Sequence, residues 1–286
     1  MTQSVGYSIV LISYKPPGNF FELIKTLRDI DDLDIYIIDS SPYFEWLEIK
    51  NEIDSMLSSK DVLSKIKYFH IENKGLGYSM NYGIMKCIDD GKELFTIIDD
   101  DASVVRGNFI VGEIVEFFNK YIDPKRDALI LADGRHIKDV YTWVDTGITF
   151  TKYLFNDIKF REEFVMDQID HDFCVSIHRN GGRILMYPKR VLFNQVVGRE
   201  ARNGINFLPA WRTYTLIRNV LVLWAEGKMG ILNLLYNVLI FCKALLFGRK
   251  KVDYLKSFYN GAKDGLNHDL GITSSLQKLS GNRFKL

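Results

Sequence analysis

The stretch Leu94-Phe95-Thr96-Ile97-Ile98-Asp99-Asp100-Asp101-Ala102 decides how this chain is read. Its first five residues are apolar or β-branched, the composition of a buried strand. Three carboxylates follow directly. Adjacent like charges repel and cost stability unless a cation offsets them. A hard divalent ion does this: Mg²⁺ or Mn²⁺ is held by one or two carboxylates together with phosphate oxygens of a substrate. The stretch therefore points to a metal–diphosphate site at the carboxyl edge of a sheet. Taken alone, three aspartates are equally compatible with a solvated acidic turn.

Outward from that strand, the first half of the chain alternates strand and helix. Val5 to Ser13 is a mostly apolar run suited to a buried parallel strand. A loop, Lys15-Pro16-Pro17-Gly18, leads to Asn19, a candidate cap with Glu22 three residues on. Phe20, Leu23, Ile24, Leu27 and Ile30 then continue at helical spacing. Ile35 to Ile38 is a second strand, ending in Asp39-Ser40-Ser41-Pro42. Trp46, Ile49, Ile53, Met56 and Leu57 suggest a helix, Ile66 to Ile71 a third strand, and Gly77 to Ile88 another helix. Such alternation predicts a parallel sheet with helices on both faces. Ligands of these sheets bind outside the carboxyl strand ends. Ser13-Tyr14, Asp39-Ser40 and Asp99 to Asp101 converge at that edge.

The second half is less regular. Ala128 to Ala132, Ile148 to Phe150 and Ile184 to Tyr187 read as strands, and Asp170 to Asn180 as a helix closed by Gly181-Gly182. Beyond about Asn206, Trp211 to Trp224, Met229 to Phe247 and Val252 to Gly265 read as helices. In Met229 to Phe247, Gly230, Asn233, Asn237 and Lys243 fall within one third of the helical wheel, and Arg249-Lys250-Lys251 follows at once. The segment is short and interrupted for a span. Its pattern predicts a helix lying in a membrane interface, with the basic cluster on anionic headgroups.

Composition narrows the classes. The 286 residues suffice for one large α/β domain with an appendage, or for two domains. Hydrophobic residues make up 47% and charged residues 26%, as in ordinary globular proteins. A net charge of +1 argues against a general nucleic-acid binder. Cys87, Cys174 and Cys242 are odd in number and widely spaced, which argues against a disulfide framework or a zinc site and for a reducing cytoplasm. The start, MTQSVGYSIVLISYK, lacks a basic n-region and reads as a strand.

Asn73-Lys74-Gly75-Leu76-Gly77-Tyr78-Ser79-Met80-Asn81, followed by the strand ending Asp99-Asp100-Asp101, resembles the nucleotide-sugar half of family-2 inverting glycosyltransferases with a GT-A fold. Phe164 to Phe173, with Arg179 and Gly182 after it, is similar to the acceptor-side segment of bacterial rhamnosyl- and galactofuranosyltransferases. Tyr214 with Arg218-Asn219, and Gly261 with Asp264-Gly265-Leu266, match their tail. The resemblance implies a GT-A domain over 1–204, with a nucleotide-sugar half (1–102) and an acceptor half (103–204), and a C-terminal helical region over 205–286, which the Met229 to Phe247 pattern marks as a membrane-associating extension. It implies Mn²⁺ or Mg²⁺ held by Asp99 and Asp101, with Asp100 on the ribose or sugar. Ser13, Tyr14, Asp39, Asn73, Gly75, Gly77 and Asn81 would line the donor site, the glycines by allowing close backbone approach. Asp39 also reads as a turn-capping residue. Asp170 matches the general base, with Asp167 as competitor. Trp143 resembles an acceptor platform, and Asp172 is expected to face solvent or support the metal. His171 and His178 read as helix-surface or core residues. Many relatives place a metal-completing His where this chain has Asn194, a weak neutral oxygen ligand.

The expected activity is transfer of galactofuranose or rhamnose from a UDP- or dTDP-sugar to a lipid-linked saccharide acceptor in bacterial surface polysaccharide synthesis. It would take place at the cytoplasmic membrane surface, with homo-oligomerisation left open. Trp143 and the triple Asp lean toward galactofuranose. A sugar nucleotidyltransferase is the alternative enzyme, but Ser13 to Gly18 lacks its glycine-rich, basic loop. A catalytically inactive assembly partner is the alternative outside enzymes, suggested by Asn194.

Overall fold

The apolar runs assemble into one seven-stranded sheet. In the computed structural model, which describes residues 6–56, 65–105, 107–131, 136–142, 146–194, 200–202, 205–281 and 283–284, its strand order is β3-β2-β1-β4-β7-β6-β8. β1 (Tyr7–Ser13), β2 (Asp34–Asp39), β3 (Ile66–His70) and β4 (Leu94–Asp99) run parallel. β7 (Ile148–Thr151) runs antiparallel to both β4 and β6 (Ala128–Ile130), and β8 (Ile184–Met186) pairs parallel with β6. Every residue of β1 is buried, as expected of a central strand covered on both faces.

The crossover helices are α1 (Phe20–Arg28), α2 (Tyr43–Met56) and α3 (Leu76–Asp89). The chain steps from β1 outward to β2 and β3, then returns to place β4 on the other side of β1. Right-handed crossovers therefore set α1 and α2 on one face and α3 on the other. The reversal makes the β1/β4 junction a topological switch point, where a crevice opens at the carboxyl ends. Gly83 lets α3 lie directly on the sheet: a Cβ there would collide with Val10 and sit 2.8 Å from Ile38 Cγ1. Asn19 does not cap α1 through its side chain. Its backbone is already helical (φ −84°, ψ −2°), whereas a capping side chain reaches back from an extended residue. Its carbonyl instead accepts from Leu23 N at 3.0 Å.

The remaining elements are α4 (Val111–Tyr121), α5 (Lys152–Asp157), α6 (Ile169–Arg179) and α7 (Ala210–Ala225), then α8 (Ile231–Phe247), α9 (Lys251–Leu266) and α10 (Ser274–Ser280). Two antiparallel ribbons pair β5 (Ala102–Val104) with β9 (Leu192–Asn194), and β10 (Glu200–Arg202) with β11 (Ile205–Phe207).

The chain divides into two compact units. One comprises Met1–Glu72, Ser79–Lys159 and Phe173–Gln195, and the other Asn73–Tyr78, Phe160–Asp172 and Val196–Leu286. In the second, α7 and α9 meet backbone to backbone. A Cβ on Gly261 would lie 2.7 Å from Tyr214 O, and one on Gly265 2.7 Å from Arg218 O. Phe207, Ile217, Phe241, Ala244 and Tyr254 form an apolar core beside this contact. α8 is arranged differently from its wheel: Asn237 is buried, while much of the exposed surface is apolar. Among the described residues, no helix is long and apolar enough to cross a membrane.

Candidate functional site

In the first unit, the site grows from the β1/β4 junction. The register pairs Ile12 with Asp99, so Tyr14 and Asp100 leave their strands side by side. Tyr14 N donates to Asp100 Oδ2 at 3.0 Å, joining the two strand ends. Burial pushes the Asp100 carboxyl up to about 7; the Tyr14 hydrogen bond opposes this, and the charges of Asp99, Asp101 and Asp39 add to it. Four acids thus share one field, and a cation would offset it. Asp99 is fixed through its backbone, its N donating to Thr146 Oγ1 at 3.0 Å. Among the described residues, no group of three or more His, Cys, Asp or Glu could hold a metal ion alone. Asp99 and Asp101 are oxygen donors of the kind that hard cations share with substrate phosphates.

Asp39 at the end of β2 is fully buried. Its Oδ1 accepts from Ser41 N at 2.9 Å and its Oδ2 from the Tyr68 hydroxyl, so the turn-capping role is realised. Lys15 N donates to Ser41 Oγ at 2.8 Å, tying this turn to the loop after β1. Among the described residues, the buried Ser13 hydroxyl has no hydrogen-bond partner. Asn81 is also buried, on α3. The β5–β9 ladder pairs Ala102 with Asn194, setting Asn194 opposite the residue that follows Asp101. Trp143 lies outside the described residues.

The second unit holds Asn73, Gly75, Gly77, Asp167 and Asp170. The approach that the two glycines allow is taken up by the chain itself. A Cβ on Gly75 (φ +113°) would be 2.7 Å from Val165 O, and one on Gly77 2.7 Å from Arg161 O. Asn73 Oδ1 accepts from Gly75 N at 3.3 Å, and Leu76 N donates to Val165 O at 2.7 Å. Val165, Asp167 and Gln168 all have positive φ, between 61° and 66°, immediately before α6. Such conformations cost energy in non-glycine residues and persist only when their surroundings impose them. Here Asn219 Nδ2 lies within hydrogen-bond distance of the carbonyls of Phe164 (3.1 Å), Met166 (2.8 Å) and Asp167 (2.9 Å), and Arg218 Nη2 donates to Phe164 O at 2.9 Å.

That strained loop delivers Asp170 to the first turn of α6, half-buried. Asp167 is held by two side chains of α7. Arg212 Nη2 donates to its Oδ1 at 2.6 Å and Thr215 Oγ1 to its Oδ2 at 2.5 Å. Asp172 does not face solvent: it is buried and paired with Lys228 Nζ at 2.6 Å. His171 is buried with Nε2 3.3 Å from Lys228 O, and burial lowers its pKa. His178 bonds the carbonyls of Gly182 and Val140.

Sequence reasoning missed Thr146 and Tyr68 as supports of the acids. Tyr68 was findable: β2 and β3 pair Ile37 with Tyr68, which makes Tyr68 a same-face diagonal neighbour of Asp39. Thr146 carries no such signal, since it sits in a loop beyond a stretch with no described strand.

No family model and no curated protein sequence matches this chain. Solved structures do. Staphylococcus aureus TarS superposes with a TM-score of 0.55 at 16% identity, over 96% of this chain and 50% of TarS, so this chain spans half of that protein's length. The mannosyltransferase PcManGT from Pyrobaculum calidifontis, solved with GDP-Man and Mn²⁺, superposes with a TM-score of 0.57 at 13% identity, over 93% of this chain and 88% of PcManGT. This chain therefore has the GT-A-like fold of nucleotide-sugar transferases: a mostly parallel sheet flanked by helices, with acids at the switch point.

Proposed function

We propose that this chain is an inverting, metal-dependent glycosyltransferase. It moves a hexose, galactofuranose or rhamnose, from a UDP- or dTDP-sugar to a lipid-linked saccharide acceptor in bacterial surface polysaccharide synthesis. The observation that carries this reading is the β1/β4 junction, where Tyr14 N grips Asp100 between Asp99 and Asp101. The GDP-Man and Mn²⁺ carried by the mannosyltransferase of similar fold support it.

The nucleoside lies along Ser13, Tyr14 and the Asp39 turn. Asp100 receives the sugar hydroxyls, and Asn73 and Asn81 flank the donor. Asp99 and Asp101 would hold a divalent ion, Mn²⁺ or Mg²⁺, which would supply positive charge for the departing diphosphate. In the reaction, the acceptor oxygen bonds to the anomeric carbon as the bond to the diphosphate breaks. The acceptor proton passes to Asp170 in the first turn of α6.

Transfer assays with candidate donors test the assignment. Asp101→Ala and Asp170→Ala are each expected to lower turnover by at least about a hundredfold. Full activity in both variants overturns the mechanism, and pyrophosphate release from a sugar phosphate and a nucleoside triphosphate overturns the reaction class.

A further inference from the structure

α8 is apolar on both faces: Phe241 and Ala244 pack into the core, and a second apolar set faces outward. On a water-exposed helix the polar residues face solvent and the apolar stripe faces the core. Here the amide of Asn237 is buried and satisfied by Asn233 O at 2.7 Å. Leu232, Leu235, Tyr236, Leu239 and Leu246 stand outward with 53% to 77% of their surface exposed. Their spacing of three, four, seven and fourteen residues from Leu232 draws one stripe about 20 Å long, which the exposed Lys243 interrupts between Leu239 and Leu246. The next helix, α9, repeats the pattern: Val252, Leu255 and Tyr259 are 62%, 53% and 69% exposed. Isolated exposed apolar residues are ordinary, but stripes on two successive helices mark an interaction surface.

The turn between the helices says what covers it. Arg249, Lys250 and Lys251 are all exposed, and they sit in sequence directly between the outward Leu246 and Val252. On a chain of net charge +1 this is a local concentration of cations inside an apolar border. The two exposed tyrosines add rings with an apolar body and a polar tip, which suit headgroup depth. An isologous contact between two copies through this turn would set like charges against each other.

We infer that the α8–α9 hairpin is a docking surface for an anionic lipid bilayer, its apolar stripe lying at the acyl boundary and Arg249 to Lys251 among the headgroups. This goes beyond the transfer reaction and stands independently of the donor site.

Co-sedimentation of the full chain with vesicles tests it, using phosphatidylcholine alone and phosphatidylcholine with about a third phosphatidylglycerol. The protein is expected on the anionic vesicles and to be weakened there by about 0.5 M salt. Replacing the cations together (R249S/K250S/K251S) is expected to lower anionic-vesicle affinity about a hundredfold. Replacing the stripe (L232Q/L235Q/L239Q) is expected to abolish sedimentation with the anionic vesicles. All six residues are exposed, so both variants are expected to keep the parent melting temperature. Absence of the parent from anionic vesicles, or unchanged binding by either variant, overturns the assignment. So does a dimer in solution that only the leucine replacements dissociate. Donor-induced thermal shifts in the same variants report on the transferase reading separately.

Discussion

Asn219 commits its whole amide to one loop. Its Nδ2 meets three carbonyls, those of Phe164, Met166 and Asp167, and its Oδ1 accepts from Arg218 Nε at 3.0 Å. The side chain is fully buried, so removing it takes the shared donor away from three carbonyls of the loop. Asn219→Ala is expected to destabilise by about 3 kcal/mol. Asn219→Asp is nearly isosteric and gains a charge beside Arg218, yet it turns a donor into an acceptor facing three oxygens. It is therefore expected to cost at least as much as the alanine, and denaturant unfolding of the two variants checks the order. An Asp variant as stable as the parent would show that the carbonyls do not need the amide. The Arg218-Asn219 pair was visible in the sequence as a motif without a function. Its role was hidden because the atoms it holds lie 52 to 55 residues away. Asp99 to Asp101, by contrast, were legible because a strand end and three charges are adjacent in sequence.

Two glycines in helices show how element packing reverses a residue's intrinsic preference. Alanine in a helix interior is favoured over glycine by roughly 1 kcal/mol. At Gly112, in α4, nothing lies within 4 Å of the position a methyl group would take, so Gly112→Ala is expected to stabilise by up to about that amount. At Gly261 the same methyl group would sit 2.7 Å from Tyr214 O and force α7 and α9 apart. Gly261→Ala is expected to destabilise by roughly 2 kcal/mol despite its better propensity. Opposite shifts in melting temperature for one chemical change confirm the contact, and same-sign shifts refute it. The long elements were readable because they carry enough residues for a period to show: β1, β2, β4 and the helices α7 to α9 fall within a few residues of expectation. β5, β9, β10 and β11 have three residues each, too few for alternation to be distinguished from chance. Their pairing is a tertiary event, and it is what brings Asn194 opposite Ala102.

At the scale of the whole molecule, the acids at the switch point link metal, nucleotide and stability. Asp99, Asp101 and Asp39 each work against ionisation of Asp100, so the unliganded fold carries a repulsion that ligands can relieve. If Asp99 and Asp101 share a cation with the donor diphosphate, each ligand raises the affinity of the other by the same factor. A nucleoside diphosphate in chelator is then expected to move the melting temperature little, and Mn²⁺ alone to move it slightly. Both together, at concentrations where the ternary complex outweighs the unliganded protein about a hundredfold, add about 2.7 kcal/mol. For a chain of this length that corresponds to a rise of about 5–10 °C. Asp101→Asn removes a charged ligand while preserving shape and lessens the repulsion on Asp100. It is expected to raise the unliganded melting temperature slightly and to erase the joint rise. The two shifts have opposite signs, which separates a metal-sharing site from a solvated acidic turn: in a turn, relief of repulsion would occur without any loss of coupling. A joint rise that survives in Asp101→Asn would place the cation elsewhere.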